Sequence, residues 1–384
     1  AAGFSSEKVF LMIYADNAAT SPLSPTAFEK MKPLMLEEFG NASQLYSFSR
    51  NPRALLQEAR EIIAGCIHAA PEEIFFTSGG SESDNWAVKG LLEKDDYRQT
   101  VTSSFEHHAI LHSCETIERL GFPVSYVSPD HSGHVTIDAL ARALTKKTKL
   151  VSIMMSNNEL GTIQPIKELC EISHAHGALF HTDAVQSMGH IPIDARELGV
   201  DMMSASSHKF NGPKGIGFLY LRKGTRIRPY MDGGAQERGL RAGTENVAAI
   251  VGMAAALEEN VRHMTANHQH LISLEQIILH ALDASGIDYL RNGTAPQVPG
   301  NMSLSFKGME AEMLLHRLDL KGIEVSTGSA CNSEKTEVSY VLKSIGLDEA
   351  YALGTIRISL GRYNTTEEAE AIARALVQIC KERV

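Results

Sequence analysis

The sequence predicts an α/β fold, with a mainly parallel seven-stranded sheet flanked by helices and a smaller α+β domain. From about residue 74 to 221, short apolar runs alternate with amphipathic stretches of helical length. This alternation is typical of parallel sheets that carry helices on both faces. After Thr244 the pattern changes to one long helical stretch followed by scattered strands. The 384 residues also suit two domains better than one core.

The elements of the sheet can be assigned in chain order. Seven apolar runs are the expected strands, at 74–76, 100–104, 124–127, 150–155, 178–182, 202–205 and 217–221. Helical periodicity lies between the first six of them, at about 81–93, 108–120, 136–144, 165–176 and 184–198. In sheets of this kind ligands bind at the carboxyl ends of the strands, so polar residues at those ends are the candidates for function.

The second domain begins with a long helical pattern over about 246–282. Strands are expected near 302–306, 323–325 and 355–359, and the strand at 13–14 fits either part. We therefore predict a large domain over residues 16–257. Residues 1–15 and 258–384 would form the small domain.

Composition excludes several functions. A formal net charge of -10 argues against a basic nucleic-acid-binding surface and against docking on anionic membranes. No apolar run reaches the ~18–20 residues of a membrane span. The five cysteines are widely spread, with no Cys-x-x-Cys pair, which favours a reducing, cytoplasmic setting and predicts neither disulfides nor a metal site.

A lysine and an aspartate follow neighbouring strand-like runs. Lys209 ends Ser206-Ser207-His208-Lys209, and Asp183 follows the run before it. Pyridoxal phosphate needs an amine for its aldehyde, an acid for its ring nitrogen and donors for its phosphate. The pair suits this cofactor, and the chain would then be an enzyme that acts on an amino acid. Taken alone, Lys209 also fits a solvated loop, and Asp183 also fits a helix N-cap.

Two other strand ends carry polar residues that fit the same cofactor. Gly79-Gly80-Ser81 follows a strand and opens a helix, where backbone amides favour a phosphate. It matches neither of the common nucleotide-binding glycine motifs. His107 follows the next strand, where an imidazole can stack on a ring or move protons.

Cys331 and Arg357 belong to the second part of the chain. Cys331 lies among small and polar residues, whereas the other four cysteines lie in apolar helical stretches and resemble core residues. A reactive thiol and an inert loop thiol both fit Cys331. Arg357 lies between apolar neighbours in a strand, so it needs a partner. A substrate carboxylate and a structural salt bridge fit equally well.

Together these motifs resemble the cysteine desulfurases of the NifS/IscS type, within the class V aminotransferase family of fold-type I pyridoxal-phosphate enzymes. The resemblance runs from about Ile13 to the end of the chain. The motifs that carry it include Tyr14-Ala-Asp-Asn-Ala-Ala-Thr20, Asn157-Asn-Glu-Leu-Gly161, His181-Thr-Asp-Ala-Val-Gln186, Ser206 to Gly217 and Gly328-Ser-Ala-Cys331.

The resemblance implies a role for each candidate residue. Lys209 would form the Schiff base, Asp183 would pair with the ring nitrogen, and His107 would stack and act as acid and base. The phosphate would be held by Gly80, Ser81, Ser206 and His208, with Thr244 reaching in from a second subunit. The ring hydroxyl would contact Asn158 and Gln186. The substrate carboxylate would be bound by Arg357, with help from Asn41, and Cys331 would accept the sulfur.

The implied reaction converts L-cysteine to L-alanine and leaves a persulfide on Cys331, whose sulfur passes to an acceptor protein for iron–sulfur cluster or other thio-cofactor synthesis. A homodimer is implied by Thr244. Two rival functions remain at this point. One is another enzyme of the same fold, such as a selenocysteine lyase or an aminotransferase. The other is a non-catalytic sulfur-relay or scaffold protein.

Overall fold

The fold was analysed in a computed structural model, which describes residues 12–93, 96–328 and 338–382. Cys331 lies outside the described residues. The described strands, β1 to β12 in chain order, are Ile13–Tyr14, Ile74–Thr77, Gln99–Ser103, Val124–Val127, Thr148–Ser152, Leu179–Asp183, Met202–Ser206, Gly217–Leu221, Tyr289–Arg291, Asn301–Phe306, Ile323–Glu324 and Thr355–Ser359. Of these, the three-residue strand β9 had no counterpart in the predicted elements.

The described α-helices cover both parts of the chain. In chain order, α1 to α12 are Pro25–Leu36, Arg50–Cys66, Gly80–Lys89, His108–Arg119, Ile137–Ala143, Ile166–Ala175, Ala195–Leu198, Val247–Ser285, Ala311–Asp319, Tyr340–Ser344, Glu349–Ala352 and Thr366–Lys381. No helix within the described residues is both long and apolar enough to cross a membrane.

The central sheet confirms the predicted fold class. Its seven strands lie in the order β2-β8-β7-β6-β5-β3-β4. The pairs β7-β6, β6-β5, β5-β3 and β3-β4 are parallel, and only β8 runs antiparallel to both of its neighbours. Six of the seven strands therefore run in one direction and bring their carboxyl ends to one edge.

The prediction of a helix over 184–198 is wrong for most of that range. Residues 184–191 fold into successive turns, in which the Met188 amide donates to the Ala184 carbonyl at 2.8 Å and the His190 amide donates to Ser187 at 2.9 Å. Gly189 adopts a left-handed φ of 74°, which ends the helical turn. Pro192 has no amide to donate and keeps its predecessor extended. The helix α7 begins only after Asp194, whose side chain caps it.

The long helix α8 connects two large apolar cores, one packed on each half of its length. The first half of α8 packs Ile250, Met253 and Leu257 into the core of the central sheet. The second half packs residues such as Leu274 and Ile278 against β10, β12 and α12, in the second core. The strand β1 pairs in parallel with β11, so it belongs with the second core. The exact domain boundaries stay a prediction.

Candidate active site

A cavity of about 460 Å³ opens at the carboxyl edge of the central sheet. Loops that follow β2, β3, β5, β6 and β7 supply most of its wall. The predicted cofactor residues that line it are Gly80, Ser81, His107, Asn158, Asp183, Gln186, Ser206, His208 and Lys209. The fold therefore gathers side chains that lie up to about 130 residues apart in the sequence.

Lys209 lies in a short 3-10 turn directly after β7, and its amine points into the cavity. The amine donates to the carbonyl oxygens of Ala18 at 2.5 Å and Ala19 at 2.9 Å. Burial lowers the pKa of the Lys209 amine to about 8, and the nearby Arg357 guanidinium acts in the same direction. A substantial neutral fraction is therefore present near physiological pH, as attack on an aldehyde requires.

This pKa gives the first testable prediction. In the cofactor-free protein, reductive methylation of Lys209 should speed up with pH and level off above about 8. An ordinary lysine reaches its plateau only near ~10.4. Methylation rates for each lysine, read by peptide mass spectrometry over the neutral and alkaline range, would measure the difference, with exposed Lys32 as the internal control. A Lys209 plateau at the ordinary value would contradict the assigned environment.

Asp183 is the last residue of β6 and is buried. One carboxylate oxygen accepts from the Val185 amide at 2.8 Å, and no helix follows, so Asp183 closes a turn and is not a helix N-cap. Burial raises the pKa of the Asp183 carboxyl to about 6. The buried Asp84 lies beside it, and burial together with the Asp183 charge raises the pKa of Asp84 well above its usual range. A cation in the cavity would compensate this buried negative charge.

His107 caps the N-terminus of α4 and faces the cavity. Its Nδ1 atom accepts from the Ala109 amide at 3.1 Å. Burial lowers the pKa of His107 to about 4, and the charge on Lys209 adds to this effect. The ring is neutral at physiological pH, with its proton on Nε2, so His107 can both donate and stack.

The end of the cavity at the start of α3 carries groups that can bind an anion. Gly80 begins α3 in close contact with Val185, since a Cβ atom there would lie 2.5 Å from the valine Cγ2. The helix start therefore presents its amides to the cavity. The hydroxyls of Ser81 and Ser206 line the same end, and so does Lys214, which the sequence analysis had not selected.

His208 is held in place at this end of the cavity. Its Nδ1 atom lies 3.1 Å from the Thr20 hydroxyl, another residue that the sequence analysis did not select. Burial lowers the pKa of His208 to about 4, helped by Lys209 and Lys214. Both missed residues stood inside quoted motifs, Thr20 at the end of the Tyr14 motif and Lys214 within Ser206 to Gly217.

The cavity wall also contains an acceptor without a partner. The Asn158 Oδ1 atom is buried and has no hydrogen-bond partner among the described residues. Such an atom is costly unless a ligand donates to it. The neighbouring Gln186 side chain donates to the Ala18 carbonyl at 3.0 Å. An amine, an acid, an anion cradle and this free acceptor together fit pyridoxal phosphate.

A second cavity of about 610 Å³ adjoins the first and shares Lys209, His107, Asn158 and Gln186 with it. Arg357 lies in its wall, in β12. The Arg357 guanidinium pairs with Asp16 at 2.6 Å and donates to the Asn158 carbonyl at 2.9 Å. Its Nε atom is buried and has no hydrogen-bond partner among the described residues. The structural salt bridge is therefore present, and Arg357 retains donors for a substrate carboxylate.

Asn41 and Thr244 are not brought into either of these cavities within the chain. Asn41 accepts from the Ser43 amide at 2.9 Å, and the Ser43 hydroxyl donates to Glu245 at 3.1 Å. The two predicted residues thus lie on neighbouring segments of the surface. Their roles in the site stay predictions.

Metal-dependent chemistry has no geometric support in the described part of the chain. It contains no group of three or more histidine, cysteine, aspartate or glutamate side chains that could hold a metal ion. His108 and His112 stack, with ring centroids 5.0 Å apart, but none of the described residues adds a third ligand.

This sheet, with a lysine and an acid at its carboxyl edge, defines a pyridoxal-phosphate enzyme of fold type I. Comparison with known proteins agrees. A model of the class V aminotransferase family matches residues 13–372. The cysteine desulfurase IscS of Dictyoglomus turgidum is 47% identical, over 93% of this chain and 91% of the relative. That of Methanosarcina thermophila is 43% identical, over 96% and 91%.

Solved structures show the same relationship. A NifS-like protein superimposes with a TM-score of 0.91 and 36% identity, covering 97% of this chain and all of its own. The structure of SspA in complex with cysteine gives a TM-score of 0.82 and 36% identity, covering 92% of this chain and all of its own. The chain belongs to the class V aminotransferase family and, within it, to the cysteine desulfurases of the NifS/IscS type.

Proposed function

We propose that this chain is a pyridoxal-phosphate-dependent cysteine desulfurase that converts L-cysteine to L-alanine and transfers the sulfur to Cys331. The observation that carries the proposal is the shared wall of the two cavities. Lys209 lies in that wall, between the cofactor cavity and the Arg357 cavity, so its amine reaches both cofactor and substrate.

Each residue of the site has a defined task. When bound, pyridoxal phosphate supplies an electron sink for the pair left at the substrate α-carbon. Asp183 keeps the ring nitrogen protonated, and the α3 start, Ser206 and Lys214 bind the phosphate. Arg357 holds the substrate carboxylate. The Lys209 amine would remove the α-proton of the bound amino acid and later return a proton.

Sulfur transfer requires a thiolate as nucleophile. The Cys331 sulfur attacks the substrate sulfur, so an S–S bond forms while the substrate C–S bond breaks. The bonding electrons stay with the substrate carbon, which takes up a proton and leaves as alanine, and Cys331 carries the persulfide. Gly328, three residues before Cys331 in the sequence, lines the Arg357 cavity, which supports this assignment.

The experiment that tests the function is incubation of the holoenzyme with L-cysteine and a reductant. Alanine and sulfide should appear in equal amounts. An aminotransferase would consume cysteine without releasing alanine, and a scaffold protein would release neither product. D-cysteine serves as the matched control. Only one enantiomer can place its carboxylate at Arg357 and its α-proton at Lys209 at the same time.

We propose further that the chain forms a homodimer through an apolar surface patch. The exposed side chains of this patch are Met35, Leu36, Phe39, Leu45, Tyr46 and Phe48. So many exposed apolar residues in one segment indicate an interface. The segment adjoins Glu245, next to Thr244, through the Ser43 contact. Dimerisation would therefore also carry Thr244 toward the partner's phosphate site.

The dimer predicts a specific effect of charge. Phe39→Asp combined with Leu45→Asp should convert the protein to monomers in light-scattering measurements and weaken its hold on pyridoxal phosphate. Leu320→Asp is the control, because Leu320 is similarly exposed but belongs to the segment after α9. A double variant that stays dimeric would place the interface elsewhere.

The persulfide sulfur has to pass to an acceptor. We propose that this acceptor is a thiol of another protein, which uses the sulfur in iron–sulfur cluster or other thio-cofactor synthesis. We also propose a cytoplasmic location. The support is chemical, since the four described cysteines are free and the reaction needs Cys331 as a free thiol, which a reducing compartment maintains.

A further inference from the structure

Glu159 is a buried acid to which neither the sequence analysis nor the proposed reaction gives a role. It is 3% exposed and lies in the wall of the Arg357 cavity. Among the described residues it belongs to no ion pair, since Arg357 pairs with Asp16 instead. Burial raises the pKa of the Glu159 carboxyl to about 7, against the opposing effects of Ser339 and Arg357. Burying such a group costs stability, so its contacts need an explanation.

The Glu159 carboxylate contacts the chain on both sides of Cys331. The Ser339 side chain lines the same cavity and holds the pKa of the carboxyl down, while its hydroxyl accepts from the Val341 amide at 3.1 Å to cap α10. On the other side it packs against the backbone of Gly328, where an added Cβ atom would lie 2.2 Å from Oε2. Gly328 and Ser339 are three residues before and eight residues after the cysteine. One carboxylate therefore joins the two flanks of the thiol-bearing segment.

Glu159 is itself held rigidly. The Asn157 Oδ1 atom accepts from the amides of Glu159 and Leu160, both at 2.9 Å. The Asn157 amide group donates to the Phe105 carbonyl at 3.0 Å. The next residue, Asn158, faces the cofactor cavity with its free oxygen. Three consecutive residues thus have three contacts: Asn157 fixes the loop, Asn158 faces the cofactor cavity, and Glu159 contacts the flanks of Cys331.

We propose that Glu159 is a positioning residue for sulfur transfer. It fixes the points where the Cys331 segment leaves and rejoins the fold, beside the cavity that holds the substrate. This inference rests on the proposed function, and it concerns the sulfur step alone. Geometry matters strongly there, because a misplacement of about 1 Å can slow a reaction ~10²-fold.

The experiment separates the two halves of the reaction in single-turnover mixing of holoenzyme with L-cysteine. The absorbance change of the cofactor reports substrate binding and proton removal, and mass spectrometry reports the persulfide on Cys331. Glu159→Ala should slow persulfide formation by about 10²-fold while the absorbance change keeps its rate. Glu159→Gln keeps an acceptor for Ser339 and should recover much of the loss.

Glu275→Gln is the matched control for the loss of any buried acid. Glu275 is equally shielded but bonds to Arg291 and Gly300 in the second core. This variant should leave the persulfide rate unchanged relative to the absorbance rate. A parallel fall of both rates in Glu159→Ala, or no fall in either, would overturn the proposal. If the wild type makes no alanine and sulfide, the proposed function itself fails.

Gly328→Ala tests the same contact from the other side. The methyl group would press on the carboxylate, so this variant should also slow persulfide formation. In a Glu159→Ala background the methyl group has space, so the second change should add little. Fully additive effects would show that Gly328 and Glu159 act independently, which would overturn the proposed contact between Glu159 and the flanks of Cys331.

Discussion

Lys209→Ala should lower alanine and sulfide formation from L-cysteine by roughly 10³-fold or more, because one side chain both anchors the cofactor and moves the α-proton. The purified variant should also lose the absorbance band that borohydride removes from the wild type. The lowered pKa of the Lys209 amine, about 8, is what makes this lysine rather than another reactive at neutral pH.

Lys214→Ala is the comparison variant for Lys209. Lys214 lines the anion end of the same cavity, so its loss should weaken pyridoxal-phosphate binding. At saturating cofactor, however, the borohydride-sensitive band should remain, because the amine that forms it is still present. A band that survives in Lys209→Ala would mean that another lysine holds the cofactor.

Cys331→Ser should abolish sulfide release, a loss of roughly 10³-fold or more, as when other nucleophiles are removed. The absorbance change on mixing with L-cysteine should persist, since Lys209, Asp183 and Arg357 are intact. Quenched samples, alkylated and analysed by mass spectrometry, would show whether a persulfide forms and on which cysteine.

The other cysteines are poor candidates for this role. Burial raises the pKa of Cys66, Cys114 and Cys170 to about 12 and that of Cys380 to about 11, so these thiols stay protonated. Cys66, the least buried of them, gives the control variant Cys66→Ser, which should keep full activity. Sulfide release that survives in Cys331→Ser would mean that a thiol other than Cys331 accepts the sulfur.

Much of the cofactor site was predictable because the strand ends are marked in the sequence. Asp183 and Lys209 each follow an apolar run, and parallel pairing of β6 with β7 then brings the two residues together. The glycine pair before α3 was predictable for the same reason. These predictions needed only local patterns and the rule that ligands bind at the carboxyl ends of parallel strands.

Other residues depend on contacts that local patterns do not contain. Thr20 reaches His208 across 188 residues, and Glu159 meets Gly328 and Ser339 from a distant part of the sequence. The turns at 184–191 were missed because their apolar spacing imitates a helix, while Gly189 and Pro192 decide the backbone. Asn41 and Thr244 lie on the surface that we propose as the dimer interface, and periodicity within one chain does not reveal such a role.

The long helix α8 also places a strict condition on the chain. Its 39 residues carry Leu257 into one core and Leu274 into the other. Each residue of an α-helix advances ~1.5 Å and turns the next side chain by about 100°. Insertion or deletion of a single residue between these leucines would therefore swing one apolar stripe out of phase with the other. Only length changes close to whole turns would let both stripes stay buried, so the middle of α8 should tolerate substitutions far better than indels.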